Sequence, residues 1–133
     1  MKLSTKSEYA CLALIDLSEN YTKGMAKIEE IARRKHIPKK FLEQILLTLN
    51  RSGYLKSKRG AHGGYKLAKP PDRITVAEII RLMDGALAPV VSASEYFYEE
   101  TPIARNKRLI ELMKDIRNYI AQKLENTTFQ DLI

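Results

Sequence analysis

The stretch KSKRGAHGGYKL, residues 56–67, decides the fold of this chain. Two short segments, 55–58 and 65–67, flank a tip with the sequence GAHGG at residues 60–64. Glycine adopts the positive φ angles of tight turns, so the pattern predicts a β-hairpin with a basic tip. Such a tip can approach a nucleic-acid backbone closely, because its glycines add no side-chain bulk.

Three helices are predicted ahead of the hairpin. The first covers about residues 5–18, with Thr5 and Glu8 as a capping box. Apolar residues recur at helical spacing over about 26–35 and again over 39–51, with only three residues between the two segments. Two short helices joined in this way are typical of a helix-turn-helix, and a hairpin after them makes a winged helix.

The rest of the chain is predicted to be mainly helical. Pro70-Pro71 breaks the pattern, and Thr75 with Glu78 forms a capping box at the start of a fourth helix. A long helix is predicted over about 104–125, and a short turn ends the chain. We therefore predict a mainly α-helical fold with a small β-hairpin wing: a winged helix-turn-helix DNA-binding domain at 1–84, a connecting loop at 85–103, and a dimerisation helix with a C-terminal turn at 104–133.

Composition narrows the classes of function. Of the net charge of +7, residues 1–69 contribute +9, from 15 Lys and Arg against 6 Asp and Glu, and residues 70–133 contribute −2, from 8 against 10. This asymmetry favours a polyanion as partner of the first half, although chance surface charge is an alternative. No apolar run approaches the roughly 18 residues of a membrane span, so no membrane partner is expected. A single cysteine allows no intramolecular disulfide, and the cytoplasm is the expected location.

Candidate DNA contacts lie on the third helix and on the wing. Gln44 offers a donor and an acceptor to adenine, and Glu43 can accept from the cytosine amino group. Arg33-Arg34-Lys35 could flank the phosphates, but cations also suit the negative end of the preceding helix. A solvated helix face is the alternative for the third helix, and His62 contacts DNA only if protonated. The predicted DNA-binding residues are Lys39, Lys40, Glu43, Gln44, Thr48, Lys58, Arg59, Gly60, His62, Gly63 and Gly64.

The long helix carries too many apolar residues on one stripe to lie free in solvent. A second copy of the chain would cover it, and a dimer suits the recognition of a two-fold DNA site. The alternative is that the helix packs back onto its own winged helix. The predicted dimerisation residues are Leu109, Leu112, Met113, Ile116, Ile120 and Leu124.

Metal and catalytic chemistry find little support in the sequence. The soft ligands Cys11, His36 and His62 are scattered, and no CxxC pair or His/carboxylate pair at i, i+4 is present. We expect no metal, no cofactor and no enzymatic activity.

Several motifs together resemble the Rrf2 family, the bacterial winged-helix regulators of the IscR, NsrR and CymR type. The resemblance covers nearly the whole chain. It rests on Leu3-Ser4-Thr5-Lys6, Tyr9-Ala10, Phe41 to Leu46, Lys58-Arg59-Gly60, Gly63-Gly64-Tyr65, Leu67-Ala68, Pro70-Pro71, Ile74-Thr75, Glu78 to Ile80, and Thr127 to Leu132.

The resemblance implies a homodimer that is joined through the long helix and binds a palindromic operator, often as a repressor. It also implies that Glu43 and Gln44 belong to the recognition helix and that Arg59 is the wing arginine. Family members that hold an iron–sulfur cluster take cysteines from the loop before the long helix, and residues 85–102 contain none. The chain therefore resembles the cysteine-free branch, whose members sense by other means, including contact with a metabolic enzyme or a small-molecule effector.

The aromatic residues Tyr96, Phe97 and Tyr98 form a candidate effector or partner loop, unless they simply pack against the long helix. The sequence thus predicts a dimeric regulator that binds an operator in double-stranded DNA. Two hypotheses compete with this one: a winged helix that serves as a protein-interaction module, and an iron–sulfur sensor with unconventional ligands.

Overall fold

The structure, a computed structural model, describes residues 2–133. Five helices and one two-stranded antiparallel sheet are present within these residues, and four short 3-10 turns join or end them. The fold is therefore the predicted one, mainly α-helical with a small hairpin. In chain order the elements are α1 (Thr5–Glu19), α2 (Ile28–Lys35), α3 (Lys39–Arg51), β1 (Leu55–Lys58), β2 (Gly64–Leu67), α4 (Val76–Asp84) and α5 (Lys107–Glu125), with 3-10 turns at Pro71–Arg73, Val91–Ala93, Pro102–Arg105 and Phe129–Leu132.

Two helix starts show how well local capping signals predict structure. At α4 the predicted capping box is present: the Thr75 hydroxyl accepts from the Glu78 amide at 3.2 Å, and the Thr75 amide donates to the Glu78 carboxylate at 2.7 Å. At α1 the predicted box of Thr5 and Glu8 is wrong. Ser4 is the N-cap instead, and its hydroxyl accepts from the amide of Ser7 at 3.1 Å.

Two other helices begin later than the sequence predicts. Ala26 does not start α2, because it pairs with Tyr65 of β2 through two backbone hydrogen bonds of 2.8 Å. The chain before α2 is thus joined to the wing by a single antiparallel β-bridge. Likewise α5 begins at Lys107 rather than at residue 104, because residues 102–105 form a separate 3-10 turn and Asn106 caps the helix.

The hydrophobic core lies between α1, α3 and α4 and includes the C-terminal turn. Phe129 is fully buried, and its amide donates to the carbonyl of Ile74 at 3.0 Å. The amide of Val76 donates to the carbonyl of Thr127 at 2.9 Å, so backbone hydrogen bonds join the C-terminal turn to the start of α4. The division of the chain at residues 84 and 103 stays a prediction.

No helix among residues 2–133 is long and apolar enough to cross a membrane.

Candidate nucleic-acid interface

One side of α3 is buried and the opposite side is open to solvent. The buried side consists of four side chains with no exposed surface: Leu42, Ile45, Leu46 and Leu49. The exposed face of α3, as we call it from here on, consists of five exposed side chains at spacings of three and four residues: Lys40, Glu43, Gln44, Leu47 and Arg51. This face combines cations, a carboxylate, an amide and one apolar side chain.

Three of the predicted contacts, Lys40, Glu43 and Gln44, lie on the exposed face of α3, and two lie at its edges. Lys39 forms an ion pair of 3.0 Å with Glu29 of α2, and the hydrogen bond to that carboxylate raises the pKa of Lys39. Thr48 is half-buried, and its hydroxyl donates to the carbonyl of Gln44 at 3.1 Å. Both side chains already have partners within the chain, which weakens their claim as DNA contacts.

The sequence prediction missed Leu47 and Arg51. Helical spacing alone could have placed both on the exposed face, because Leu47 follows Glu43 by four residues and Arg51 follows Leu47 by four. It also missed Lys6 of α1. Lys6 lines a groove of about 560 Å³ that also contains Pro38, Lys40, Phe41, Gln44 and Ile45. Only the packing of α1 against α3 reveals this neighbour.

The wing presents its basic residues at the tip. β1 and β2 pair from Leu55 opposite Leu67 to Lys58 opposite Gly64. The side chains of Lys58, Arg59 and His62 are all exposed. They are therefore free to contact a partner, and Gly60, with a φ of 102°, permits the turn between them.

Backbone packing within the chain requires glycine at positions 63 and 64, independently of any contact with DNA. A Cβ atom at Gly63 would lie 2.1 Å from the backbone oxygen of Lys58. A Cβ atom at Gly64, whose φ is 136°, would lie 2.4 Å from the backbone oxygen of Ala26. The wing can therefore close, and form its β-bridge with Ala26, only when neither position carries a side chain.

Hydrogen bonds hold the base of the wing against α3 and α4. Asn50 of α3 donates to the Ser57 hydroxyl at 3.3 Å, and the Tyr54 hydroxyl donates to Glu78 at 3.0 Å. Burial, together with the Glu78 carboxylate, raises the pKa of Tyr54 to about 12. The ammonium group of Lys69 lies 5.1 Å from the centre of the Tyr54 ring. The orientation of the wing relative to α3 is thus fixed by contacts at its base.

The basic run at residues 33–35 is mostly engaged within the chain. Arg34 binds the Asp16 carboxylate through two nitrogens, at 2.8 and 2.9 Å, and this hydrogen bonding raises the pKa of Arg34. Lys35 pairs with Glu19 at 2.5 Å. These ion pairs fix α2 against α1, which is a structural role for Arg34 and Lys35 that the sequence did not predict. Arg33 alone of the three is exposed.

The long helix α5 has two different apolar sides. Ile110 and Ala121 are buried against the same chain, and Ile120 and Leu124 are half-buried against its core. The alternative that this helix packs back onto its own chain therefore holds for one of its sides, which contacts α4 and the turn at 91–93. The neighbouring side carries an exposed apolar stripe, formed by Leu109, Leu112, Ile116 and Tyr119, with the half-buried Met113 beside it.

Contacts with α4 and α5 partly hold the loop that carries Tyr96, Phe97 and Tyr98. The Arg81 guanidinium lies 4.8 Å from the centre of the Tyr96 ring, and the Phe97 ring lies next to Gly85. Arg117 of α5 donates to the carbonyl of Ala93 at 3.0 Å. Even so, Tyr96, Phe97 and Tyr98 are 65%, 45% and 57% exposed. Packing against the long helix does not account for all of their surface.

The residues present do not fit an iron–sulfur cluster. Such clusters are held mainly by several thiolates, and this chain has one cysteine. Burial, and secondarily the carboxylate of Asp84, raises the pKa of the Cys11 thiol to about 11, which opposes the thiolate form that binds metals. Within residues 2–133, no three His, Cys, Asp or Glu side chains come together as a metal-ligand group.

Comparisons with known proteins agree with this geometry. The model of the Rrf2 family, described as "Iron-dependent Transcriptional regulator", matches residues 3–133. The chain is 36% identical to the HTH-type transcriptional regulator CymR of Bacillus subtilis over 132 residues, which is 99% of this chain and 89% of that protein. It is 41% identical over 86 residues to IscR of Cereibacter sphaeroides, covering 63% of this chain and 56% of that protein.

Solved structures give the same result. The structure of CymR, the global cysteine regulator of B. subtilis, matches with a TM-score of 0.79 at 34% identity, covering 99% of this chain and 95% of that one. The structure of T. potens IscR matches with a TM-score of 0.78 at 29% identity, covering 99% of this chain and 85% of that one. These relatives are transcription regulators and not enzymes.

Proposed function

This chain belongs to the Rrf2 family of winged-helix, DNA-binding transcription regulators, and from that premise we propose that it acts as a homodimer on a palindromic operator, as a repressor. The observation that carries the proposal is the exposed face of α3, which stands beside a basic wing. This face offers Gln44 and Glu43 for base contacts, and Lys40 and Arg51 for phosphates.

Each part of the proposed interface has a separate task. The α3 helix enters the major groove and contacts base edges. The wing residues Lys58 and Arg59 contact phosphates or the minor groove, where an arginine fits well. Because the wing is fixed at its base by Asn50 and Tyr54, both elements approach the DNA as one rigid unit.

The dimer is proposed from the apolar stripe on α5. Leu109, Leu112 and Ile116 recur at spacings of three and four and are 40%, 52% and 38% exposed in the single chain. A second copy would cover this stripe with the same stripe of its own α5, as a two-fold contact requires. Two exposed faces of α3 would then meet two half-sites of a palindrome.

In this proposal, the protein represses transcription by occupying its operator. A dimer that covers two successive segments of major groove excludes other proteins from the same DNA. The aromatic residues Tyr96, Phe97 and Tyr98 are proposed as the loop through which an effector or a partner protein modulates binding, because they remain exposed beside Arg81 and α5.

The experiment that tests the proposal uses Arg59→Ala. Duplexes are first selected from a random library with the wild-type protein, and affinities are then measured by fluorescence anisotropy at several salt concentrations. We expect Arg59→Ala to bind the selected duplex at least about tenfold more weakly, about 1.4 kcal/mol, with a smaller salt dependence. The matched control is Arg105→Ala, which removes an exposed arginine from the 3-10 turn before α5, outside α3 and the wing, and should bind as the wild type does. If both variants bind equally, the wing has no part in the mechanism.

A further inference from the structure

Apolar side chains interrupt the charged surface of α3. Three large apolar side chains within residues 2–90 are exposed, namely Tyr21, Phe41 and Leu47, and two of these lie on α3. Phe41 and Leu47 are each 41% exposed. An isolated exposed leucine is ordinary on a protein surface. Two exposed apolar groups on the helix that carries the candidate base contacts call for an explanation.

The two side chains flank the candidate adenine contact. Gln44 follows Phe41 by three residues and precedes Leu47 by three, so both are its neighbours on the helix surface. The Phe41 ring packs edge-on against Tyr9, with ring centres 5.2 Å apart. This contact holds the ring on the rim of the groove that Lys6 and Lys40 also line.

The positive charge around these side chains favours a polyanion such as nucleic acid as the partner. Lys6, Lys40 and Arg51 are exposed cations of α1 and α3, placed around Phe41 and Leu47. Cations in this arrangement complement a polyanion. In the major groove of DNA, the apolar group that a side chain meets is the C5-methyl group of thymine.

We propose that Leu47 and Phe41 contact thymine C5-methyl groups next to the base that Gln44 contacts. Each half-site of the operator then carries thymine at fixed positions, and the protein recognises the methyl group itself. This inference rests on the proposed function, because it requires α3 to lie in the major groove.

The test replaces single thymines of the selected duplex by deoxyuridine, which keeps every hydrogen-bonding group and lacks only the C5-methyl group. Affinities of the wild-type protein are measured at one salt concentration. Loss of one buried methyl contact should weaken binding about fourfold at one or more thymines in each half-site. Because the protein is unchanged in this measurement, no result can be attributed to misfolding.

A second arm assigns the contact to its side chain. Leu47→Ala should bind the thymine and the deoxyuridine duplex equally at the position that Leu47 contacts, whereas Leu47→Met should keep the wild-type difference. Phe41→Ala should likewise bind the thymine and the deoxyuridine duplex equally, but at a different thymine. A wild-type protein that selects a defined site but tolerates deoxyuridine at every thymine overturns the inference and leaves the proposed function standing. The inference is also overturned if both alanine variants lose as much affinity as the wild type when thymine is replaced by deoxyuridine. A wild-type protein that selects no site overturns the proposed function itself.

Discussion

The ion pair between α1 and α2 offers a quantitative test of how this fold holds the two helices together. The Asp16 side chain is only 2% exposed, and Arg34 supplies two hydrogen bonds to its carboxylate, at 2.8 and 2.9 Å. Arg34→Ala would leave that carboxylate buried without a cation, which costs about 3–5 kcal/mol in proteins. The Arg34 side chain is itself 30% exposed, so water can enter where it was removed. We therefore expect a loss of about 3 kcal/mol, at the lower end of that range.

The converse variant should cost less. In Asp16→Ala the guanidinium keeps its exposure and its contact with Glu30 at 3.4 Å. The expected loss is about 1–2 kcal/mol. The assay is equilibrium unfolding in urea at one protein concentration, with Arg33→Ala as the control. Arg33 is an exposed neighbour on α2, and its removal should change the free energy of unfolding by less than about 0.5 kcal/mol. The reasoning is refuted if Arg34→Ala matches that control or if Asp16→Ala is the more costly of the pair.

Three further predictions concern the wing, the capping box and the dimer. Gly64→Ala would place a Cβ atom 2.4 Å from the backbone oxygen of Ala26, at a residue with positive φ. Urea unfolding should show that this variant loses about 2 kcal/mol or more of its free energy of unfolding. Gly60→Ala, whose Cβ atom meets open space, should lose less. Burial acts to raise the pKa of Glu78, but hydrogen bonds from Thr75 and Tyr54 outweigh it and lower that pKa. The stability that the ionised Glu78 contributes is therefore present above pH 4.5 and is lost as the pH falls through the folded-state pKa. The difference in free energy of unfolding between the wild type and Glu78→Gln should therefore shrink in acid, and a constant difference would contradict this. If the proposed dimer forms through α5, Leu112→Asp should give a monomer in light scattering, whereas Lys114→Asp should scatter light as the wild type does.

Local signals in the sequence predicted much of the fold correctly. The bounds of α3 and the capping box at α4 follow from side chains within a few positions of each other, and both predictions were confirmed. The hairpin followed equally well from its glycines. The structure extended that argument, because Gly63 and Gly64 are needed where the wing backbone approaches Lys58 and Ala26.

Two predictions failed for local reasons, because Ser4 and not Thr5 caps α1, and Asn106 caps α5 after a separate 3-10 turn. The others missed partners that are distant in sequence. Ala26 was placed in a helix, yet it pairs with Tyr65, which lies 39 residues later. For Arg34 the sequence left a phosphate contact and a helix-end cation as alternatives, and it did not reveal the buried carboxylate on α1 that binds this side chain. The proximity of Lys6 to α3 likewise depends on helix packing. Hydrophobic periodicity contains no information about such contacts, which explains why the edges of the candidate interface changed while its centre at Glu43 and Gln44 did not.

The central claim is that the exposed face of α3 recognises a base sequence. The most direct measurement compares the affinities of wild-type protein and Gln44→Ala for the selected operator and for random duplex in the same buffer. A bidentate contact to a base contributes about 1–3 kcal/mol of discrimination. We therefore predict that Gln44→Ala lowers the ratio of operator to random affinity by about tenfold and leaves the affinity for random duplex unchanged. An equal loss on both duplexes, or no loss on either, would contradict the claim.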